Sequence, residues 1–581
     1  MKGLSVKSLF GFDYRQNNSK DIFRQNPEFQ ESKPTDILTM SSNYTVQWNW
    51  ANTLNFTRAF GDHNINFLAG SEAVSSTYYY LMGSRSTFFS SDVNYMYLDA
   101  GEADKNNSGN GNQSTKFSYF GRLNYDYKGK YLVEATFRRD GSSVFGANNR
   151  WGNFPAVSVG WRLSQENFMA NVKDVVNDLK LRGGYGISGN DNIGLYNGYS
   201  TFSSNSNTSS YSIAGSPNSS VAGFYNSKVG NPDAKWETTN TMNIGIDFAV
   251  LNSTLTGSLD VWQRKTKDML FQVSIPQVAG EATAPQVNIG DMDNKGFDLN
   301  LNYNNKALNG DLNYGLGLTL SHYKNKIVKI SNNTAEFLNG GDYRQMTYTR
   351  ATVGTAFPEF YGLIVDGIFQ TQAEATAYAP EYGGSYNIAG HFKFRDLNGD
   401  GKIDDNDRSY IGSPHPKFTA GLNMNLGYKA FNLSAFWYAS YGNKIANYVS
   451  RWIDYPQFTG NRSIDRLTKT WGSPYLTNNA NATLPLADLN NISQYPSTAF
   501  LEDGSFLRLK TLQLSYTLPK ELSQKISIAS CQVYVQASNL VTFTKYKGLD
   551  PEINNSGINL GIDAGQWPTT RQIVFGIKLD L

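Results

Sequence analysis

Residues 116–138 alternate between two kinds of side chain along almost their whole length, and this period of two is the tightest constraint on the fold. Phe117, Tyr119, Leu123, Tyr125 and Tyr127 form one set, and Lys116, Ser118, Arg122, Asn124 and Asp126 the other. Beyond a turn at 128–130, Tyr131, Val133, Ala135 and Phe137 alternate with Glu134, Thr136 and Arg138. Successive side chains of a strand point to opposite faces, so each run is a strand with one apolar and one polar face. The pattern returns with Val157, Val159, Trp161 and Leu163, and again with Phe297, Leu299, Leu301 and Tyr303. A complete hairpin follows at 417–441, its apolar set running from Phe418 to Tyr428 and then from Phe431 to Tyr441. Alternation is present from the start, where Val6, Phe10, Phe12 and Tyr14 oppose Lys7, Asp13 and Arg15. About sixteen such segments can be read along the chain.

The connections between these segments alternate too. Short ones fall near 61–64, 128–130, 249–253, 304–310 and 429–430, with somewhat longer ones near 165–178 and 519–530. Long polar ones are expected at 16–43, 81–114, 139–155, 189–235, 266–293, 326–415, 443–504 and 541–569. Outer-membrane barrels have this rhythm, with short periplasmic turns and long extracellular loops. Their lipid band is apolar with aromatic girdles and their interior is polar. Here the apolar set is rich in Tyr, Trp, Phe and Leu, and the opposite set in Asn, Thr, Ser, Lys and Arg. A soluble barrel of this size would be too wide for its side chains to fill. Mean hydropathy is −0.45, and no apolar run approaches the roughly 18 residues of a spanning helix. Only helices and closed barrels satisfy the backbone in lipid. The expected fold is therefore all-β: a transmembrane antiparallel β-barrel segment spanning 1–581, with both chain ends on the periplasmic side. A string of soluble β-domains, as in a secreted adhesin, is the competing reading.

Other chemistries find little support. Fifty-one basic residues against 49 acidic give a net charge of +2, not the clustered basic excess of a nucleic-acid surface. A single cysteine, Cys531, cannot build a disulfide framework or a cysteine metal site. "GYGISG" at 184–189 matches G-x-G-x-x-G, but loop-like sequence follows where a dinucleotide site needs a helix. His63, His322, His391 and His415 are dispersed; His391 and His415 could converge, yet no third zinc ligand accompanies them. The Asn-x-Thr triplet at 332–334 reflects Asn-rich loops. No Ser/His/Asp set or facing carboxylate pair is evident, so no enzyme is expected. Trp452, Tyr455 and Trp567 are aromatic loop residues suited either to sugar stacking or to packing between loops, and packing is the reading adopted. "MKGLSVKSLFGFDYRQ" lacks the apolar stretch of a signal peptide.

"DLNGDGKIDDND", residues 396–407, matches a calcium loop. Such loops ligate through positions 1, 3, 5, 7, 9 and 12, turn on a glycine at 6 and use a backbone carbonyl at 7. Asp396, Asn398 and Asp400 fill the first three positions; Gly401, Lys402, Ile403 and Asp404 follow, and Asp407 replaces the usual Glu at 12. The expected metal ligands are Asp396, Asn398, Asp400, the Lys402 carbonyl and Asp407. A sensor needs helices on both sides. The flanks "YNIAGHFKFR" and "RSYIGSPHPKF" are not helical in pattern, so calcium is expected as a structural clip.

Four stretches together resemble the SusC/RagA family of TonB-linked outer-membrane transporters. They are "KYLVEATFRRDGSSVFGANNRWGNFPAVSVGWRLSQENFM", "VGTAFPEFYGLIVDGIFQTQAE", the block from Phe392 to Ile445, and "SFLRLKTLQLSYTLP". The resemblance runs along the whole chain. It implies a Gram-negative, Bacteroidota-like outer-membrane location and a barrel of about 22 strands with an internal plug. A SusD-like lipoprotein would lid the mouth, and oligosaccharides or peptides would enter with energy relayed by TonB. It also implies that this chain corresponds to the carboxy-terminal part, with signal peptide, plug and first strands outside it. A passive porin-like pore and a calcium-dependent adhesin are the alternatives.

Overall fold

Sixteen long strands form one sheet, and their order in the sheet is their order in the sequence. The computed structural model describes residues 3–28, 32–204, 209–212, 220–272, 275, 277–330, 337–343, 346–456, 460–489, 495–525 and 527–580. The triplet at 332–334 and Leu581 lie outside those residues. The strands are β1 (Leu4–Phe23), β2 (Ile37–Phe60), β3 (His63–Ser86), β4 (Ala103–Tyr127), β5 (Tyr131–Ser142), β6 (Trp151–Arg162), β7 (Val176–Asn190) and β8 (Glu237–Val250). They continue as β9 (Leu255–Gln272), β10 (Gln286–Ala307), β11 (Leu312–Ile330), β12 (Phe418–Tyr428), β13 (Phe431–Tyr441), β14 (Phe506–Thr517), β15 (Ser530–Thr544) and β16 (Gln572–Asp580). The expected number holds, and short and long connections alternate except at 143–150, expected to be long but shorter than the following 163–175. Among the described residues no helix is long and apolar enough to cross a membrane.

The expected loop boundaries need correction. Strands run into four regions read as loop, 16–43, 81–114, 139–155 and 266–293, so the connections shrink to 24–36, 87–102, 143–150 and 273–285. Asn17 pairs with Asn43, Ser19 with Ser41, and Gly109 with Leu81. Polar residues and glycine interrupt both faces here, among them Asn17, Asn18, Ser41, Ser42, Asn106, Asn107 and Gly109, so the alternation in hydropathy fades while the backbone ladder continues.

At the other end the turns are tight. Lys128 and Gly129 both have positive φ, 56° and 64°, the type I′ geometry that suits strand twist. Asp126 Oδ1 accepts the Gly129 amide at 3.0 Å.

The chain divides into two compact units, 1–161 with 184–241 and 266–289, and 162–183 with 242–265 and 290–581. In the first, Leu123 pairs with Ala135 and Ala135 with Val157, while Tyr127, Tyr131 and Trp161 line up at the short-turn end. This apolar face is open: Val133, Phe137, Val157 and Val159 are all exposed. The opposite face carries Arg138, which donates to Glu72 at 3.0 Å, Asp140 at 2.6 Å and Ser118 at 2.9 Å. In the second unit Leu301 pairs with Leu318, Leu318 with Leu422 and Leu422 with Trp437. A one-residue slip in any pair would turn these side chains to the other face. On the polar side Arg182 grips Asp260 through two contacts of 2.6 Å and Asp247 at 2.9 Å.

"GYGISG" lies inside β7, not before a helix. A Cβ at Gly186 would stand 2.9 Å from that of Ala156, and one at Gly189 would meet the Phe154 ring. These glycines admit neighbouring side chains.

Candidate functional site: the folded loop cluster

Three long connections, 331–417, 442–505 and 545–571, fold around one hydrophobic core. The first supplies Phe360, Leu363 and Phe394, the second Ala446, Tyr448 and Phe500, and the third Ile562, all buried. Small sheets frame this core. One joins Phe337–Tyr343, Met346–Thr352, Glu359–Gly362 and Ser409–Gly412. Another joins Lys444–Asn447 to both Leu501–Asp503 and Ile562–Asp563, linking the second and third connections. Short helices Gln372–Ala377, Tyr448–Ile453 and Ile464–Lys469 start at the capping side chains Thr371, Asn447 and Ser463. Each cap accepts a first-turn amide that would otherwise be orphaned.

The acidic loop 396–407 leaves this core between strands Phe392–Phe394 and Ser409–Gly412. Ile403 is its anchor: 1% exposed, it packs into the shared core and hydrogen-bonds through its backbone to Pro380 and Tyr382. Gly401 has φ of 80°, a conformation open to glycine at little cost. Asp396 accepts the amides of Gly399 at 2.7 Å and Gly401 at 2.9 Å; Asn398 accepts that of Asp400, and Asp400 that of Lys402. Asp404 caps the one-turn helix Asp405–Asp407.

Asp407 behaves differently from its sequence neighbours. It is 1% exposed and accepts amides from Leu397, Asn398 and Asp404, clasping the two ends of the loop. Among the described residues no three His, Cys, Asp or Glu side chains converge on a metal centre. The donor set nevertheless suits calcium chemically: all ligands are oxygen, and the Asp396 and Asp400 carboxylate oxygens that each hold one backbone amide keep a second lone pair. Lys402 lies 3.4 Å from Asp404 and 3.8 Å from Asp400 through an exposed side chain.

The histidines do not converge. His391 is fully buried between Asp488, 2.8 Å from Nε2, and the Tyr386 carbonyl, 3.1 Å from Nδ1. His415 bonds Tyr323, Asn325 and the Phe357 carbonyl instead. Of the three loop aromatics, Tyr455 is 2% exposed within the core and Trp452 packs against it, whereas Trp567 is 89% exposed.

Sequence reasoning missed two features. Glu381 is fully buried, with Oε1 accepting the Phe394 amide at 2.9 Å and Oε2 without a hydrogen-bond partner among the described residues; burial pushes its carboxyl up to about 8. Arg508, on β14, reaches Asp550, Glu552 and Thr569 in the third connection. These partners lie 42 to 61 residues away in sequence, and no local pattern marks them.

Comparison with known proteins fits this architecture. Residues 3–406 match the family described as TonB dependent receptor-like, beta-barrel. TonB-dependent receptor P3 of Formosa agariphila is 31% identical over 99% of this chain and 56% of its own length. TonB-dependent receptor SusC of Bacteroides thetaiotaomicron is 31% identical over 80% of this chain and 46% of its own. The RagAB peptide transporter structure superposes over 100% of this chain and 60% of that one, with a TM-score of 0.82 and 25% identity. This chain thus spans about half the length of the curated relatives it matches. It belongs to the TonB-dependent receptor-like β-barrel family of the outer membrane, on the side of that family where SusC and RagA lie.

Proposed function

We propose that this chain is the barrel wall of a SusC-like importer that takes up oligosaccharides or peptides across the outer membrane with energy from TonB. The observation that carries the reading is the shared core of the three long connections. Loops of a passive pore have no need of a common core, whereas a rim that must receive a lid and hold cargo does. A SusD-like lipoprotein is the partner proposed for that rim, and the energised step belongs to parts of the importer beyond this chain. Calcium is proposed as a clip in 396–407, held by Asp396, Asn398, Asp400, the Lys402 carbonyl and Asp407. When bound, the ion supplies charge neutralisation among these acids. The loop's own amide bonds and the Ile403 anchor orient it.

Deleting the coding region of this chain tests the reading. TonB-dependent uptake of one class of labelled oligosaccharide or peptide is expected to disappear, while passive entry of small solutes continues. Unchanged energised uptake of every class would refute it. A steady, large conductance of the isolated chain in a planar bilayer would favour the passive pore instead.

A further inference from the structure

A cavity of about 640 Å³ lies within the loop cluster, walled by helices Tyr448–Ile453 and Ile464–Lys469 and by strand Leu501–Asp503. Its size falls in the roughly 300–1,000 Å³ range of small-ligand sites. Its charges are unevenly matched. Lys469 Nζ lies 2.6 Å from Asp465, so that pair is largely satisfied internally. Glu502 holds the Asn447 side-chain amide at 2.8 Å and the Lys547 backbone amide at 2.9 Å. Asp454 accepts the Ser463 hydroxyl, and among the described residues it has no ion-pair partner. Burial pushes its carboxyl above the usual range; the Ser463 hydroxyl and the charge of Lys547, also in the lining, offset this only in part, while the charges of Asp465 and Glu502 push the same way as burial. A half-buried carboxylate facing two others is relieved by a cation.

The rest of the lining decides which cation. Ile453, Ile464, Leu484 and Leu501 give aliphatic walls. Tyr455, the one aromatic residue of the lining among the described residues, is 2% exposed and offers no ring face. A sugar ring finds no aromatic platform here, and a bare metal ion would leave the aliphatic walls unused. An ammonium group attached to an apolar side chain uses both parts.

We propose that this cavity binds the protonated amino terminus of a short peptide, with Asp454 facing the ammonium and the aliphatic walls receiving the first side chain. The proposal rests on the import reading and narrows its cargo to peptides.

Calorimetric titration of the full chain in detergent tests it, using the tetrapeptide LAVG, its N-acetylated form, acetyl-LAVK and maltotetraose. Acetylation is expected to weaken binding at least tenfold, and Asp454→Asn to do the same for the free peptide. Ala499→Trp, which fills the cavity from an exposed lining position without changing charge, should abolish binding. Unchanged heat-modified gel mobility certifies that both variants fold. Equal affinity for free and acetylated peptide would overturn the proposal, as would maltotetraose binding lost in Ala499→Trp. Full recovery with acetyl-LAVK would overturn the amino-terminal assignment. In cells, energised uptake that survives Ala499→Trp overturns the cavity's role and leaves the importer reading standing. Peptide binding that Asp454→Asn weakens, without any energised uptake, does the reverse.

Discussion

Arg508 Nη2 lies 2.5 Å from Asp550 Oδ1, joining β14 to the third long connection at a point where both residues are buried. The guanidinium also donates to Glu552 at 2.6 Å, Thr569 at 2.7 Å and Thr542 at 2.8 Å, and Lys510 adds a second contact to Glu552. One planar cation thus holds both ends of the 545–571 connection against the sheet.

Arg508→Ala should detach that connection. Removing one partner of a buried, hydrogen-bonded pair costs about 3–5 kcal/mol because the other charge stays buried and uncompensated. Arg508→Lys should rescue little, since a point charge cannot serve acceptors in several directions. Limited proteolysis within 545–571 checks this: cleavage should accelerate strongly in both variants while the strands remain protected. Equal cleavage rates would show that the network does not hold the loop.

Two loop carboxyls give opposite pH dependences. Burial alone would raise Asp550, but the hydrogen bonds from Arg508 and Thr569 outweigh it and hold its carboxyl below the usual range. A depressed folded value means stability that is present above the unfolded carboxylate range and lost as pH falls through the folded one. Glu381 is raised to about 8 by burial. Its folded form therefore holds a proton that the unfolded chain releases above about pH 4.3. The loop cluster should lose stability as pH rises from 5 to 8, and Glu381→Gln should flatten that slope. Thermal unfolding followed across pH 3–9 reads both limbs. A slope unchanged by Glu381→Gln would refute the second.

The sixteen strands were legible because each repeats a simple rule. Phe117, Tyr119 and Leu123 fall on one face whether or not the rest of the chain is known. Strand ends such as Asn17 and Gly109 were not legible, since the rule fades once both faces meet water. The acidic loop was visible as a motif, but nothing in the motif showed that Asp407 also clasps the two ends of the loop through three amides. Glu381, Asp454 and Arg508 carry no local signal at all. Their properties come from what distant segments place around them.

Calcium should stabilise the loop cluster of the parent chain. A ligand at about 100 times its dissociation constant adds roughly 2.7 kcal/mol to the state that binds it. Asp396→Ala combined with Asp400→Ala should abolish that increment and leave stability in chelator nearly unchanged, since both side chains serve exposed turns. No large conformational change should accompany binding, because the flanks are strands held by the shared core. Equal melting of the parent with calcium and with chelator would exclude the clip.

The assignment of faces can be tested on two adjacent residues of β6. Val157 pairs with Ala135 on the apolar face, between the Tyr131–Trp161 pair at the short-turn end and Trp151 at the other. Ser158 pairs with Glu134 on the opposite face. An arginine facing lipid near the midplane costs about 2–4 kcal/mol, whereas lumen positions tolerate charge. Val157→Arg should therefore lower the urea midpoint of the chain refolded into lipid bilayers by an amount in that range. Ser158→Arg should be neutral or mildly stabilising, since its guanidinium would stand opposite the Glu134 carboxylate. In a water-soluble sheet packed on its apolar face Val157→Arg would also be costly, but the two cases separate in detergent-free buffer. There a lipid-facing Val157 leaves the parent aggregated and the arginine variant more soluble, whereas a core-facing one leaves the parent soluble and the variant unfolded.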